Sequence, residues 1–375
     1  MKKILFVMNS LSTGGAEKVL VNILNHLSPE KYDVTLLTVF DNVSESNKLE
    51  RRVRRKSVIH IKNKYMQGVV YKFFSRICSS SGLYKQLIKD KYDVEIAFLE
   101  GLPTKIIAGS SNQKSRKIAW VHIDLKKFRD SDYCFRNIKE QKKCYEKYDK
   151  VVAVSEGVKG AFIDRFSPKV CCEVHYNPVD EKEVREKSVC PVNNPPFTKQ
   201  GFHFISVGRL HRQKGFERLI KAASKLRKMT KADFEVCIVG EGDERSKLED
   251  MIHELGMKDH VKLYGYSNNP YQLMIQADCM VISSYAEGWP LVCIEALILG
   301  IPVVSTNITG PQEIIGNGKW GLIVENDTES IANGMFKIMD FQTRDKYREL
   351  AETRGKQFKI ETTMKAIEEL FDEGK

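Results

Sequence analysis

Residues 204–215 read F-I-S-V-G-R-L-H-R-Q-K-G. An apolar run ending at Val207, then a glycine, cations and a second glycine ahead of Phe216, is the signature of a strand that turns directly into a helix. The chain opens the same way. Residues 3–8, K-I-L-F-V-M, run into Asn9-Ser10-Leu11-Ser12-Thr13-Gly14-Gly15-Ala16-Glu17. A second strand–turn–helix start far down a chain of 375 residues implies two domains of one kind.

Working outward from these two starts, short apolar runs alternate with amphipathic segments, the pattern of a parallel sheet wrapped by helices. In the first half the spacing predicts strands at 3–8, 34–39, 58–61, 94–98, 118–122 and 151–154, with helices at 16–27, 83–89, 133–148 and 158–166. The second half repeats it at 204–207, 236–239, 261–264, 280–282, 303–305 and 322–324. Between them the periodicity lapses, and four of the eleven prolines fall at 178, 191, 195 and 196. The expected organisation is α/β: a basic doubly wound domain over 1–180, a linker over 181–200, a second doubly wound domain over 201–358, and a helix over 359–375 that crosses back to the first domain. Ligands of open parallel sheets bind at the carboxyl ends of the strands, so a site is expected in a cleft between two such edges.

Composition excludes several classes. Forty-two per cent hydrophobic and 29 per cent charged residues describe a globular chain with sizeable cores. No apolar run approaches the roughly 18 residues of a membrane span. The N-terminal apolar stretch stops at Asn9 without a small-residue cleavage site, so it reads as a first strand and not as a signal peptide. Nine cysteines, an odd number without C-x-x-C spacing, fit buried free thiols in a reducing cytoplasm.

The net charge of +11 is concentrated at the front. Residues 1–180 hold 33 Lys and Arg against 20 Asp and Glu, or +13, which leaves −2 for the rest. The densest knot is Lys48-Leu49-Glu50-Arg51-Arg52-Val53-Arg54-Arg55-Lys56, followed by the aromatic and basic segment Tyr65 to Ile77. Three readings compete here: a solvated loop plus a core helix, an anionic membrane surface, or nucleic acid. No nucleic-acid motif accompanies the charge, which favours membrane over nucleic acid.

The chemistry gathers at the turns. Gly14-Gly15 leads into a helix N-terminus, where free N–H groups and the helix dipole favour an anion, although a tight packing turn explains a glycine pair as well. It is neither G-x-G-x-x-G nor a P-loop, so dinucleotide and P-loop kinase folds are disfavoured. Arg209 and Lys214 flank the turn after the second domain's first strand, and two cations there suit a departing diphosphate. Residues 285–296, Y-A-E-G-W-P-L-V-C-I-E-A, place Glu287 ahead of a helix that Pro290 starts and Gly300 ends, with Glu295 inside it. On a continuous helix the two carboxylates would stand about 80° apart. They are therefore read as contacts to two parts of one hydroxyl-rich ligand, with the N–H groups within Gly288 to Leu291, Pro290 having none, as further donors. The plainer alternative makes Glu287 a dipole partner and Glu295 a surface residue.

The ordered set Gly14-Gly15-Ala16-Glu17, Val207-Gly208-Arg209-Leu210 with Lys214-Gly215, Glu287-Gly288-Trp289-Pro290-Leu291 with Glu295-Ala296, Gly300-Ile301-Pro302-Val303-Val304 and Gly310-Pro311-Gln312-Glu313 resembles glycosyltransferase family four, the retaining GT-B glycosyltransferases. The resemblance runs over nearly the whole chain. It implies that Arg209 and Lys214 bind the nucleotide diphosphate, that Glu295 holds the ribose hydroxyls and that Glu287 lies near the transferred sugar. It places the Gly14-Gly15 loop toward the donor diphosphate and His122, in Ala119-Trp120-Val121-His122, beside the reacting centre. The donor contacts then include Gly288, Trp289, Pro290 and Leu291.

The implied reaction moves a hexose or N-acetylhexosamine from a nucleotide diphosphate sugar, a UDP-sugar by expectation, to a hydroxyl with retained anomeric configuration. The acceptor is a glycan or a polyprenyl-diphosphate-linked glycan of surface polysaccharide, capsule or glycolipid synthesis. The nucleotide sugar is a co-substrate, and no cofactor is implied. Asp130-Ser131-Asp132 has the D-x-D form of a metal site but lies away from the expected diphosphate cations, so no metal is expected. The expected location is the cytoplasm, peripheral on the inner face of the membrane. Two rival functions are a nucleotide-sugar epimerase, for which Glu100 is the available acid–base carboxylate, and a non-catalytic sugar-binding protein.

Overall fold

Where β-branched and aromatic residues follow one another, the chain extends into strands buried on both faces, as parallel sheets require. A computed structural model describes the chain except for Thr13, residues 42–48, Lys62, Asp130 and Lys375, and the side chains of Lys64 and Tyr65 are not described. The start of the basic knot at Lys48, Thr13 of the first turn and the first residue of the D-x-D triplet therefore lie outside the described residues. The rest divides into two compact units: Met1–Pro178 with Glu361–Lys375, and Val179–Ile360.

Unit 1 is built on β1 (Lys2–Met8), β2 (Tyr32–Phe40), β3 (Arg54–Ile59), β4 (Val94–Ala97), β5 (Arg116–Val121), β6 (Lys150–Ala153) and β7 (Cys172–Val174). They pair in parallel in the order β3-β2-β1-β4-β5-β6-β7, so the strand order reverses beside β1. The covering helices are α1 (Gly15–His26), α2 (Lys64–Arg76), α3 (Ser80–Leu87), α4 (Leu102–Ile107), α5 (Ile138–Tyr145) and α6 (Glu156–Phe166). Its core packs Phe6 edge-on to Phe98 at 6.0 Å, and Phe98 tilted against Trp120 at 5.2 Å. The helix expected over 133–148 is shorter. Asn137 accepts from the Glu140 N–H and caps α5, after a 3₁₀ turn at Asp132–Cys134.

The basic knot is mostly not a free loop. Arg54, Arg55 and Lys56 lie in β3, where they pair with Asp33 (2.8 Å), Asp41 and Asp90 (2.6 Å) respectively. Arg52 donates to the Leu24, Asn25 and Leu27 carbonyls at the end of α1, as a cation does at a helix C-terminus.

Unit 2 repeats the plan with α7 (Glu181–Ser188), β8 (Phe202–Val207), α8 (Phe216–Met229), β9 (Phe234–Val239), α9 (Arg245–Glu254), β10 (Val261–Gly265), α10 (Tyr271–Met274), β11 (Cys279–Ile282), α11 (Leu291–Ile298), β12 (Val303–Thr306), α12 (Thr309–Ile314), β13 (Leu322–Val324), α13 (Thr328–Ile338) and α14 (Phe341–Gly355). Its parallel sheet runs β10-β9-β8-β11-β12-β13, which puts the switch point between β8 and β11. Phe204, Phe234, Leu219, Ile238 and Met335 belong to one buried cluster.

The stretch expected as a linker holds α7, which Asp180 caps and which clusters with unit 2. The chain returns to unit 1 through α15 (Ile360–Asp372). Phe371 is fully buried there, edge-on to Phe6 at 5.9 Å, and Arg116 donates to the Leu370 carbonyl at 2.5 Å.

All nine cysteines are free. Five are buried, as expected of cysteines in apolar strands and helices, Cys78 and Cys172 are half-buried, and Cys171 and Cys190 depart from that expectation by being exposed. No helix among the described residues is long and apolar enough to cross a membrane.

Candidate active site

At the switch point of unit 2, two loops leave neighbouring strand ends and are joined along their backbones. The β8–α8 loop carries Arg209 to Gly215 and the β11–α11 loop carries Ser283 to Pro290. Tyr285 N–H donates to the Gln213 carbonyl at 2.8 Å, Gln213 Nε2 to the Ala286 carbonyl at 3.0 Å, and Ser283 Oγ to the Lys214 carbonyl at 2.9 Å. This close approach requires Gly215. Its φ is +62°, and a Cβ there would stand 2.3 Å from the Ser283 carbonyl oxygen.

The joined loops bring two sequence-predicted residues together. Lys214 Nζ lies 2.5 Å from Glu287 Oε1, and Ser284 Oγ donates to the same oxygen at 2.7 Å. The Glu287 side chain is about one-tenth exposed and that of Lys214 about one-quarter. A third strand end completes the group. Thr309 Oγ1 and the Gly310 N–H both donate to the Glu287 carbonyl, at 3.2 and 3.3 Å. A Cβ on Gly310 would lie 2.7 Å from the Gly288 carbonyl oxygen, so the Gly310-Pro311 motif serves the Glu287 loop by close packing.

Arg209 is exposed two residues beyond β8, and its guanidinium has no hydrogen bond or ion pair among the described residues. Lys214 is thus held by Glu287 while Arg209 stays open. Pro290 occupies the N-cap position of α11, one residue earlier than expected for a first-turn proline. Trp289 and Leu291 are buried beside it. Glu295 is buried on α11, not a surface residue, and accepts from the Tyr271 hydroxyl at 3.2 Å.

Sequence reading missed the residues that support these loops. Arg218 is buried and donates to the Ser283 carbonyl, to the Asn326 carbonyl at 2.9 Å and to Asn326 Oδ1 at 2.5 Å. Its guanidinium lies 3.7 Å from the centre of the Tyr285 ring, whose hydroxyl donates to Glu217 at 2.6 Å. The signal was the position of Arg218 one turn into α8, directly after the glycine turn.

In unit 1, Gly14 is the extended N-cap of α1 and Gly15 its first residue, with open space beside Gly15. Glu17 folds back to accept from Ser12 Oγ at 3.2 Å. His122 follows β5, buried, with its ring 4.8 Å from that of Phe98. Its Nε2 is buried and has no hydrogen-bond partner among the described residues. Burial pushes its pKa down to about 4, so the ring is neutral. Glu100 is buried beside it and accepts from the His122 N–H at 2.5 Å and the Ile123 N–H at 3.1 Å. Burial raises its pKa to about 7, against the lowering effect of those N–H groups. The carboxylate that an epimerase would need is thus a brace for the end of β5. Asp132 of the D-x-D triplet pairs with Arg165 at 2.6 Å.

Two doubly wound parallel-sheet units are the GT-B architecture. Two family models match nearly end to end: Glycosyltransferase Family 4 over residues 13–183 and Glycosyl transferases group 1 over residues 193–357. The chain belongs to glycosyltransferase family four.

Among relatives, it is 28% identical over 99% of its length, and 100% of the other's, to the N-acetylgalactosamine-N,N'-diacetylbacillosaminyl-diphospho-undecaprenol 4-alpha-N-acetylgalactosaminyltransferase of Campylobacter jejuni. A second Campylobacter jejuni enzyme, an alpha-1,4-N-acetyl-D-galactosaminyltransferase acting on GalNAc-alpha-(1->4)-GalNAc-alpha-(1->3)-diNAcBac-PP-undecaprenol, is 27% identical over 96% of this chain and 95% of its own. Among solved structures, Anabaena HepE in complex with UDP-glucose superposes with a TM-score of 0.76 at 19% identity, covering 99% of both chains. At that identity the likeness is one of fold.

Proposed function

We propose that this glycosyltransferase is a retaining enzyme that moves a hexose or N-acetylhexosamine from a UDP-sugar to a hydroxyl of a polyprenyl-diphosphate-linked glycan, in the assembly of a surface polysaccharide or glycolipid. The observation that carries the reading is the Lys214–Glu287–Ser284 cluster at the switch point of unit 2, with Arg209 open beside the same strand ends. Both carboxylates suit sugar hydroxyls: Glu287 those of the transferred sugar and Glu295 those of the ribose, with the Gly288 to Leu291 backbone at the start of α11 as further donor contacts.

In the reaction, the bond from the sugar C1 to the diphosphate oxygen breaks and a bond from C1 to the acceptor oxygen forms on the same face. The acceptor proton passes to the departing phosphate oxygen. Arg209 and Lys214 stabilise the charge that grows on that oxygen, with Lys214 exchanging Glu287 for the diphosphate. No paired acid and base are required, so the carboxylate-pair logic of glycosidases does not govern Glu287 and Glu295. His122, neutral and with Nε2 unpartnered, is assigned to the reacting sugar, and the Gly14-Gly15 turn to the diphosphate, by the family likeness. No metal is needed in this scheme. The lipid-linked acceptor is supported by the substrates named for the Campylobacter relatives. Such an acceptor puts the enzyme at the cytoplasmic leaflet.

The test is a panel of nucleotide sugars scored for nucleoside diphosphate release, with and without chelator. Release from a UDP-sugar that survives chelation is expected, and release from none of the panel sinks the proposal. The anomeric proton coupling of the product reports retention or inversion.

A further inference from the structure

Arg218 is a buried charge of unit 2 that the proposed chemistry leaves without a task. It stands in the first turn of α8, 6% exposed, and its guanidinium touches three strand-end segments. It donates to the Ser283 carbonyl ahead of α11. It also donates to both oxygens of Asn326 between β13 and α13, at 2.9 Å to the carbonyl and 2.5 Å to Oδ1. The guanidinium carbon lies 3.7 Å from the centre of the Tyr285 ring, and a Cβ on Gly215 would come within 2.9 Å of Arg218 Nε.

Packing alone does not account for this arginine. Its acceptors are uncharged, no carboxylate pairs with it among the described residues, and its buried Nε has no acceptor there. A buried cation without a counter-charge, and with an unsatisfied donor, costs free energy that an apolar side chain of similar volume would avoid. What an apolar side chain would not do is fix several backbones at once, as the rigid donor fork of a guanidinium does. Through that fork Arg218 reaches both members of the Lys214–Glu287 pair. Ser283, held by its carbonyl, donates its Oγ to the Lys214 carbonyl at 2.9 Å. Tyr285, held by its ring, donates its N–H to the Gln213 carbonyl at 2.8 Å and precedes Glu287 by two residues. Its hydroxyl is tied to Glu217 at 2.6 Å, and Asn326 Nδ2 donates to its carbonyl at 3.3 Å.

We propose that Arg218 is a positioning residue of the transfer reaction: without touching donor or acceptor, it sets where the Lys214 ammonium and the Glu287 carboxylate stand by locking together the two loops that carry them. A displacement of about 1 Å in such a group costs about 10²-fold in rate, so the lock acts on turnover and not only on folding. The inference rests on the proposed role of Lys214 at the departing diphosphate.

Steady-state nucleoside diphosphate release from the nucleotide sugar that the enzyme turns over tests it, with urea unfolding of each variant to fix a temperature at which all are folded. Arg218→Met and Arg218→Lys should each lower kcat about 10- to 100-fold, with the donor KM changed less than about threefold. Lysine keeps the charge and loses the fork, so wild-type kcat in Arg218→Lys overturns the proposal. In a Lys214→Ala background, Arg218→Met should cost less than about threefold more, because the pair it holds is already broken. A merely structural role would cost the same factor in both backgrounds, and that additivity overturns the proposal. Should Arg218→Met not fold, Arg218→Lys and Asn326→Ala, the latter at an exposed position, decide the matter. Asn326→Ala frees one arm of the fork and should lower kcat about threefold in the parent but not in Lys214→Ala. Wild-type turnover in Lys214→Ala alone removes the diphosphate reading and the inference with it, whereas an additive cycle removes the inference alone.

Discussion

A lysine ammonium 2.5 Å from a nearly buried carboxylate is the smallest unit on which the proposed chemistry rests. Lys214→Ala should lower kcat by about 10²-fold or more, because the lost cation acts where charge develops in the transition state. The same change leaves Glu287 with Ser284 as its remaining described side-chain partner, at a cost of about 1–3 kcal/mol in stability by urea unfolding. The motif positions of Lys214 and Glu287 were readable from the sequence, but their pairing was not, because residues 73 positions apart meet only through the sheet. Arg218 was invisible for a similar reason: its partners, Ser283, Tyr285 and Asn326, come from strand ends that only the fold brings together. Glu100 and His122 make opposite pH predictions. The Glu100 carboxyl, raised to about 7 from 4.5, contributes stability that is present below pH 4.5 and lost as pH rises through 7. His122, lowered to about 4 from 6.5, contributes stability that is present above pH 6.5 and lost as pH falls through 4. Glu100→Gln should therefore remove a downward slope in urea midpoint between pH 4.5 and 7, and an unchanged slope would refute the assignment.

Among the elements, the loops at the switch point carry more information than the strands that launch them. Gly215→Ala should destabilise unit 2 by about 1–3 kcal/mol, since the new methyl meets a carbonyl oxygen at a positive φ. Its effect on nucleoside diphosphate release should exceed what unfolding accounts for, because Lys214 is the next residue; an activity loss that tracks stability alone would argue against the site. Helix boundaries set by glycine and proline, such as Pro290 and Gly300 around α11, were readable because those residues restrict the backbone locally. The start of α5 was missed, since the Asn137 cap competes with an apolar period that continues through it. The pairing of the basic knot was not readable for a different reason: charge density in sequence cannot tell free cations from those facing Asp33, Asp41 and Asp90 on neighbouring segments.

At the scale of the molecule, the two doubly wound units were legible because each repeats the same strand–turn–helix opening. The extent of unit 2 was not, because α7 is a charged helix with little apolar signal that nevertheless clusters with it. The return of α15 to unit 1 gives a direct test. Phe371 is fully buried against Phe6, so Phe371→Ala should cost about 3–5 kcal/mol in unit 1, read as an earlier unfolding transition. A wild-type transition would mean that the helix is dispensable. The same arrangement imposes an order on synthesis. The sheet that emerges from the ribosome first has no Phe371 to cover Phe6 until all of Val179–Ile360 has been translated, about ten to forty seconds later at ordinary elongation rates. The nascent first unit therefore waits with an open apolar face until its last helix arrives, whereas all of the second unit's residues come from one continuous stretch.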